Sequence, residues 1–309
     1  MLRTLPRAAV LVFGVSQIIQ TPPPVDRRFP VLPLILPYWQ LAVLAFLLLW
    51  LYWSTLVGLV SQWWHDPNFT HGFLVPLFSA YVLWQDRDRL ERIAPRPSWT
   101  GLFFIAFGLS LLMLGQLGAE LFLARFSILL LLAGTIVFFL GWNYFREVIF
   151  PWAFLILMIP IPTIIFNQIT FPLQLLASKV AAAVLPLFGV PIFREGNVIH
   201  LPVGKPLEVA EACSGIRSLM SLGALAIIYG YLMERRIWVR VVLALASVPV
   251  AIVANSGRIV GTGLLVRYWD PDKAEAVHPY WGWIVFVVSL LLLYALHSLI
   301  RVLFREENE

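Results

Sequence analysis

Cysteine occurs once in 309 residues, and charged residues make up only 13% of the chain. A single thiol rules out an intrachain disulfide and supplies too few sulfur ligands for a zinc cage. The five histidines, at 65, 71, 200, 278 and 297, form no H-x-x-x-H helical pair. No metal and no cofactor is therefore expected. Acidic residues are also few, 17 against 22 Lys and Arg. That surplus calls for no nucleic acid, because cytoplasmic loops of membrane proteins are rich in Lys and Arg.

What fills the chain instead is apolar: 60% hydrophobic residues, in runs that repeat along almost its whole length. This predicts an all-α integral membrane protein whose surroundings are a lipid bilayer. Residues 1–37 carry Arg3, Arg7, Arg27 and Arg28 and a triple proline at 22–24. Their apolar piece, Ala8 to Ile19, is short for a span and no small-residue cleavage site follows it. They read as a cytoplasmic or interfacial arm. Eight spans are expected: 38–60, 71–84, 101–118, 126–142, 148–165, 214–233, 237–254 and 281–302. Residues 167–188 are apolar but broken by Asn167, Gln168, Gln174, Ser178 and Lys179, and read as an interfacial or re-entrant helix. The stretch 189–212 contains Pro191, Gly196, Pro202, Gly204 and Pro206. It predicts a short extended segment, with Phe193–Glu195 turning through Gly196 and Asn197 into Val198–Leu201. Residues 305–309 are an acidic tail.

Eight spans put both termini on one side. Arginines 3, 7, 27, 28, 87, 89, 92, 96, 146, 235, 236, 240, 301 and 305 fall there, fourteen of the 22 cations. The positive-inside rule makes that side cytoplasmic. Cys213, Arg258 and His278 then share the external face.

The stretch from Leu207 to Leu219, L-E-V-A-E-A-C-S-G-I-R-S-L, holds the only cysteine, with Glu208 and Glu211 before it and Arg217 after it. Apolar sequence then runs to Met233, so Cys213 stands where a polar segment enters a span. A lone cysteine in such a protein is ordinarily an inert apolar residue. Here a helix N-terminus and a cation four residues on both favour thiolate. That bias matters, because a thiol of pKa about 8.5 is only a few per cent ionised at neutral pH. A thiol, an imidazole and a fixed cation are what acyl transfer uses as nucleophile, proton carrier and oxyanion stabiliser. The bland alternatives are an interfacial His278 beside Pro279-Tyr280-Trp281 and an Arg258 that snorkels to headgroups. Asp66, His71 and Asn255 stand beside these polar stretches as secondary candidates with Arg217, Glu208 and Glu211. His297 lies deep in the last span near Arg301, where a packed or snorkelling role is expected rather than catalysis.

E-A-C-S-G-I-R-S-L (211–219), N-S-G-R (255–258) and H-P-Y-W-G-W (278–283) together resemble the exosortase/archaeosortase family. D-P-N-F-T-H-G-F-L-V-P (66–76) is similar to an upstream element of that family, with Thr70 where serine is more usual. F-R-E-G-N-V-I-H-L-P (193–202) resembles its segment before the cysteine. The resemblance covers roughly residues 38–304, the expected transmembrane domain and nearly all the chain. It implies a cysteine transpeptidase or protease acting at the outer face of the cytoplasmic (inner) membrane. Its substrates would be membrane-anchored proteins bearing a C-terminal tripartite sorting signal: a Pro-Glu-Pro-like motif, a hydrophobic helix and a basic cluster. The family's catalytic Cys, Arg and His fall on Cys213, Arg258 and His278, and a His at the third position points to the bacterial exosortase branch. Members often accompany exopolysaccharide production. Two other classes remain open on the residues alone. One is a transporter or channel with the break at Pro160–Pro162 lining a path; the other is an acyltransferase or polymerase component of polysaccharide export.

Overall fold

The computed structural model describes residues 38–202, 206–208, 216–269 and 271–304, without the side chains of Tyr38, Leu41, Glu208 and residues 271–281. The arm 1–37, the tail 305–309, Glu211 and Cys213 lie outside the described residues.

The chain is built of helices. They are α1 (Tyr38–His65), α2 (Leu74–Gln85), the single turn α3 (Arg87–Leu90), α4 (Thr100–Leu117), α5 (Leu121–Phe139), α6 (Trp142–Phe154), α7 (Thr163–Val184), α8 (Ile216–Met233), α9 (Ile237–Tyr268) and α10 (Pro271–Leu303). A 3-10 turn at Thr70–Phe73 leads into α2, and others prolong α6 to Met158 and α7 to Phe188. Strands β1 (Phe193–Glu195), β2 (Val198–His200) and β3 (Leu207–Glu208) form one antiparallel sheet in the order β1-β2-β3. The expected hairpin is present, and Gly196 takes the left-handed conformation its turn requires (φ 63°).

Among the described residues, seven helices are long and apolar enough to cross a membrane: α1, α4, α5, α7 with its 3-10 turn, α8, α9 and α10. Membership differs from the eight expected spans. The stretches at 71–84 and 148–165 fold as helices of only 12 and 13 residues, each joined to a 3-10 turn. Residues 163–188 are long enough to cross.

Contacts show where these three lie. At one end of α2, the Asn68 side chain is 3.5 Å from Arg217 Nε; at the other, Asp86 is 3.5 Å from the Tyr231 hydroxyl. α2 therefore runs parallel to α8 over 14 residues of it, about 21 Å. α6 runs antiparallel beside α2. Glu147 pairs with Arg89 (2.7 Å), Ser79 donates to the Pro151 carbonyl (3.0 Å), and His71 Nε2 donates to the Leu157 carbonyl (3.1 Å). α7 leaves from the end where Leu157 lies and packs Phe166 on Phe69. Its later residues Ala177, Ala181 and Leu185 pack on Ile259 of α9, and Tyr268 donates to the Phe188 carbonyl (2.6 Å). Both halves of α7 thus contact the same end of the bundle, as an interfacial helix does.

Three polar stretches left outside the expected spans 101–118, 126–142, 237–254 and 281–302 lie inside helices. Arg125 is not in a loop: Glu120 caps α5, and Arg125 lies one turn inside it, buried and donating to Gln62 of α1 (2.6 Å). Asn255 to Arg258 do not end a helix but lie within α9, whose 32 residues span about 48 Å. The polar stretch 271–279 is likewise helical, forming the start of the 33-residue α10. Polar residues break an apolar pattern without breaking a helix, because the helix satisfies its own backbone.

α4 and α5 pack as a close hairpin. Gly101, Gly108 and Gly115 recur at seven-residue intervals, and a Cβ on Gly108 would stand 3.2 Å from Leu131 N and the Ser127 carbonyl. Such small residues let membrane helices touch backbone to backbone.

The end away from Arg217 is closed by a polar network around the buried His297. Glu234 follows α8 and accepts from the backbone N–H groups of Arg235 (2.8 Å) and Arg236 (3.1 Å). His297 Nε2 donates to Glu234 (3.3 Å), so its Nδ1 accepts from the Tyr229 hydroxyl (2.7 Å). Arg301 lies 3.6 Å from the same carboxylate. His297 thus has the packed role expected of it. Burial pushes the Glu234 carboxyl up, but the Arg236 N–H, His297, the Arg235 N–H and the charge of Arg301 together outweigh it and bring the pKa to about 2. A depressed carboxyl stabilises the fold above its ordinary value near 4.5 and loses that contribution as pH falls towards 2. We expect Glu234→Gln to lower the thermal midpoint in detergent at pH 7 by several degrees. The gap from the native protein should close between pH 4.5 and 2; a gap constant over that range would contradict the assignment.

Candidate active site at one end of the bundle

The loop from Asp66 is shaped by its own hydrogen bonds. Asp66 Oδ1 accepts from Asn68 N (2.9 Å) and its carbonyl from Phe69 N (3.1 Å), an Asx-type turn. The following 3-10 turn brings His71 and Gly72 into the interior, with His71 5% exposed. Trp63 Nε1 donates to the Met158 carbonyl (2.9 Å), tying α1 to the end of α6, and the Trp63 indole lies flat against Gly72. His71 Nε2 can only donate to the Leu157 carbonyl, so in the neutral ring Nδ1 carries the lone pair. Nδ1 is buried and has no partner in hydrogen-bond geometry.

Against this loop lies a cavity of about 680 Å³. Its polar end is formed by Thr70, His71, Arg217 and Arg258, drawn from the 3-10 turn, α8 and α9. Its deeper walls are Leu74, Leu225, Ile228 and Phe286, from α2, α8 and α10. Arg217 and Arg258, 41 residues apart in sequence, are each half-buried and face one space. Gly282 and Trp283 of α10 complete the rim.

The sequence candidates therefore divide. Arg217, Arg258 and His71 are brought together. Asn255 is buried at 2% exposure, three residues before Arg258 on α9. Asp66 shapes the loop and does not line the cavity. Glu208 occupies β3 opposite Val198. Cys213 and Glu211 fall outside the described residues; in sequence, Cys213 precedes Arg217 by four. His278 lies within α10, one turn before the cavity residue Gly282; its side chain is outside the description. Ser218 and Ser221 on the cavity face of α8 were not singled out in the sequence. Their signal was a polar residue at i and i+3 inside an otherwise apolar span.

Residues 63–295 match the transmembrane exosortase family, three quarters of the chain. The chain belongs to that family. Neither the curated proteins nor the solved structures yield a match. The matched region begins at Trp63, the indole that packs on Gly72, and ends within α10 beyond the cavity rim. For this exosortase-family chain the charged groups of the cavity sit at the end of the bundle rather than at its middle, where a transporter's broken helices hold their ligand.

A Cβ at position 72 would run into the Trp63 indole. Overpacking of this kind costs roughly 1–3 kcal/mol. We expect Gly72→Ala to lower unfolding stability in detergent by about that amount and to impair any activity that depends on His71. Unchanged stability would mean that the loop does not seat on Trp63 as described.

Proposed function

We propose that this chain is a membrane cysteine protease or transpeptidase that cleaves a C-terminal sorting signal on membrane-anchored proteins. The observation that carries the reading is the single cavity into which Arg217 and Arg258 both face, within a family match covering the Cys213, Arg258 and His278 motifs. The site end is taken as the outer face of the inner membrane. Arg87, Arg89, Arg92, Arg96, Arg146, Arg235, Arg236, Arg240 and Arg301 belong to the opposite end, as cytoplasmic cations would.

In this reading His278 takes the Cys213 proton and the thiolate adds to the scissile carbonyl carbon. Arg258, always charged and planar, holds the oxygen that becomes negative. The C–N bond then breaks, the leaving amine takes the proton from the His278 imidazolium, and a thioester remains on sulfur. An amine or water attacks that thioester, gives its proton to His278 and releases the thiolate. Arg217, four residues from the thiol, orients the segment before the scissile bond. Glu211 orients a cation from a distance, since a carboxylate too near the sulfur opposes thiolate formation.

Cys213→Ala is expected to abolish processing of a sorting-signal substrate and Cys213→Ser to leave it nearly dead. Arg258→Lys should cost roughly 10²–10³ in turnover with a smaller effect on substrate binding. Full processing by purified Cys213→Ala would overturn the mechanism. Normal turnover in Arg258→Lys alongside a large loss in Arg217→Lys would exchange the two arginine roles.

A further inference from the structure

Below the two arginines the cavity becomes a slot. Its floor is one face of α8, on which Ser218, Ser221, Ala224, Leu225 and Ile228 follow Arg217. Those positions recur at three- and four-residue intervals and descend 11 residues from Arg217, about 16 Å into the bundle. Leu74 of α2 forms one wall and Trp283 and Phe286 of α10 the other. Leu74 is 52% exposed and Trp283 73%, so the slot's flanks are open to the surface of the bundle that lipid covers. An occupant can therefore enter sideways from the bilayer.

The chemistry of the walls indicates which occupant. Membrane helices pack closely where one presents small residues and hydroxyls, because backbones approach and hydroxyls bond across the contact. Ser218, Ser221 and Ala224 provide such a face, with Gly282 on the facing rim. At the polar end Thr70 adds a further hydroxyl. The first turn of any helix carries N–H groups with no partner of their own, from which hydroxyl oxygens can accept. An acyl chain has neither hydroxyl-seeking nor N–H groups along its length. The two cations above match the carbonyl oxygens or carboxylates of a peptide that continues out of such a helix.

We propose that this slot receives the apolar membrane helix of the protein substrate, with Ser218, Ser221 and Leu225 reading its surface and holding the preceding segment under Arg217 and Arg258. The inference rests on the protease reading for the identity of the substrate, and adds the place where that substrate is recognised. Ser218, Ser221 and Leu225 become specificity-determining residues.

The test separates docking from chemistry. In full-length Cys213→Ala protein, Leu225→Cys is introduced, and single cysteines are walked along the membrane helix of a sorting-signal substrate. Disulfide crosslinks are expected at substrate positions three to four residues apart, and none from Val253→Cys, which is exposed on α9 away from the slot. In parallel, Ser221→Leu in the otherwise native enzyme should raise KM about tenfold or more by filling the slot, with kcat little changed. If the native enzyme processes the substrate but Leu225→Cys forms no crosslink, or crosslinks no better than Val253→Cys, the slot is not the docking site and the protease reading stands. An unchanged KM in Ser221→Leu together with a copurifying lipid would likewise overturn it, leaving the slot to an acyl chain. Periodic crosslinks in the absence of any processing by the native enzyme would uphold the slot and remove the protease reading.

Discussion

Hydrocarbon supplies no hydrogen-bond partner, so a chain inside it must satisfy its own backbone or be covered by protein that does. That constraint decides where chemistry can sit in this molecule. Within the bundle the chain is helical almost throughout, and its irregular segments gather at the ends. Among the described residues, those at the cavity end include the Asp66–Phe73 loop, the Ile159–Pro162 break and the hairpin region after Gly189. At that end side-chain and backbone acceptors are already held by neighbouring elements: Met158 by Trp63, Leu157 by His71, and Gly196 by Ser178 and Arg194. The cavity is thus assembled from fixed pieces rather than from a free loop.

Over-length helices are the second device. A hydrocarbon core is about 30 Å thick, and α9 and α10 are about 48 and 50 Å long at 1.5 Å per residue. On continuous helix that length carries Arg258 and the turn holding His278 to the cavity end of the bundle. A functional group on a helix is held more firmly than one on a loop. At the far end the Glu234, His297, Tyr229 and Arg301 network ties α8 to α10. Through the rigidity of α10, that contact bears on where Gly282 and Trp283 meet α8 at the cavity.

Much of this was legible in the sequence. The apolar runs announced helices, the glycine and asparagine at 196 and 197 announced the hairpin, and Arg217 and Arg258 were expected on one face. What was not legible came from interactions between elements. Asn255-Ser256-Gly257-Arg258 looks like a helix end, yet α9 continues because Ile259 and Gly263 pack on α7 beyond it. Arg125 looks like a loop residue until Gln62 of another helix receives it. The short α2 and α6 and the long α7 defeat a rule based on length, since α2 is placed by its contacts with α8 and α7 by its packing on α9. The sequence named Arg217, Arg258 and His71 but not the apolar walls around them, because those walls come from segments more than 200 residues apart.

The central claim is that Cys213 attacks a peptide carbonyl beside the two arginines. Its most direct test is to incubate the native protein with a sorting-signal substrate, quench in acid and determine by mass spectrometry what Cys213 carries. The account predicts a substrate-derived acyl thioester on Cys213, labile to hydroxylamine, that accumulates when nucleophilic amines are withheld. Efficient cleavage of the same substrate with Cys213 unmodified at every time point, and undiminished in Cys213→Ala, would contradict it.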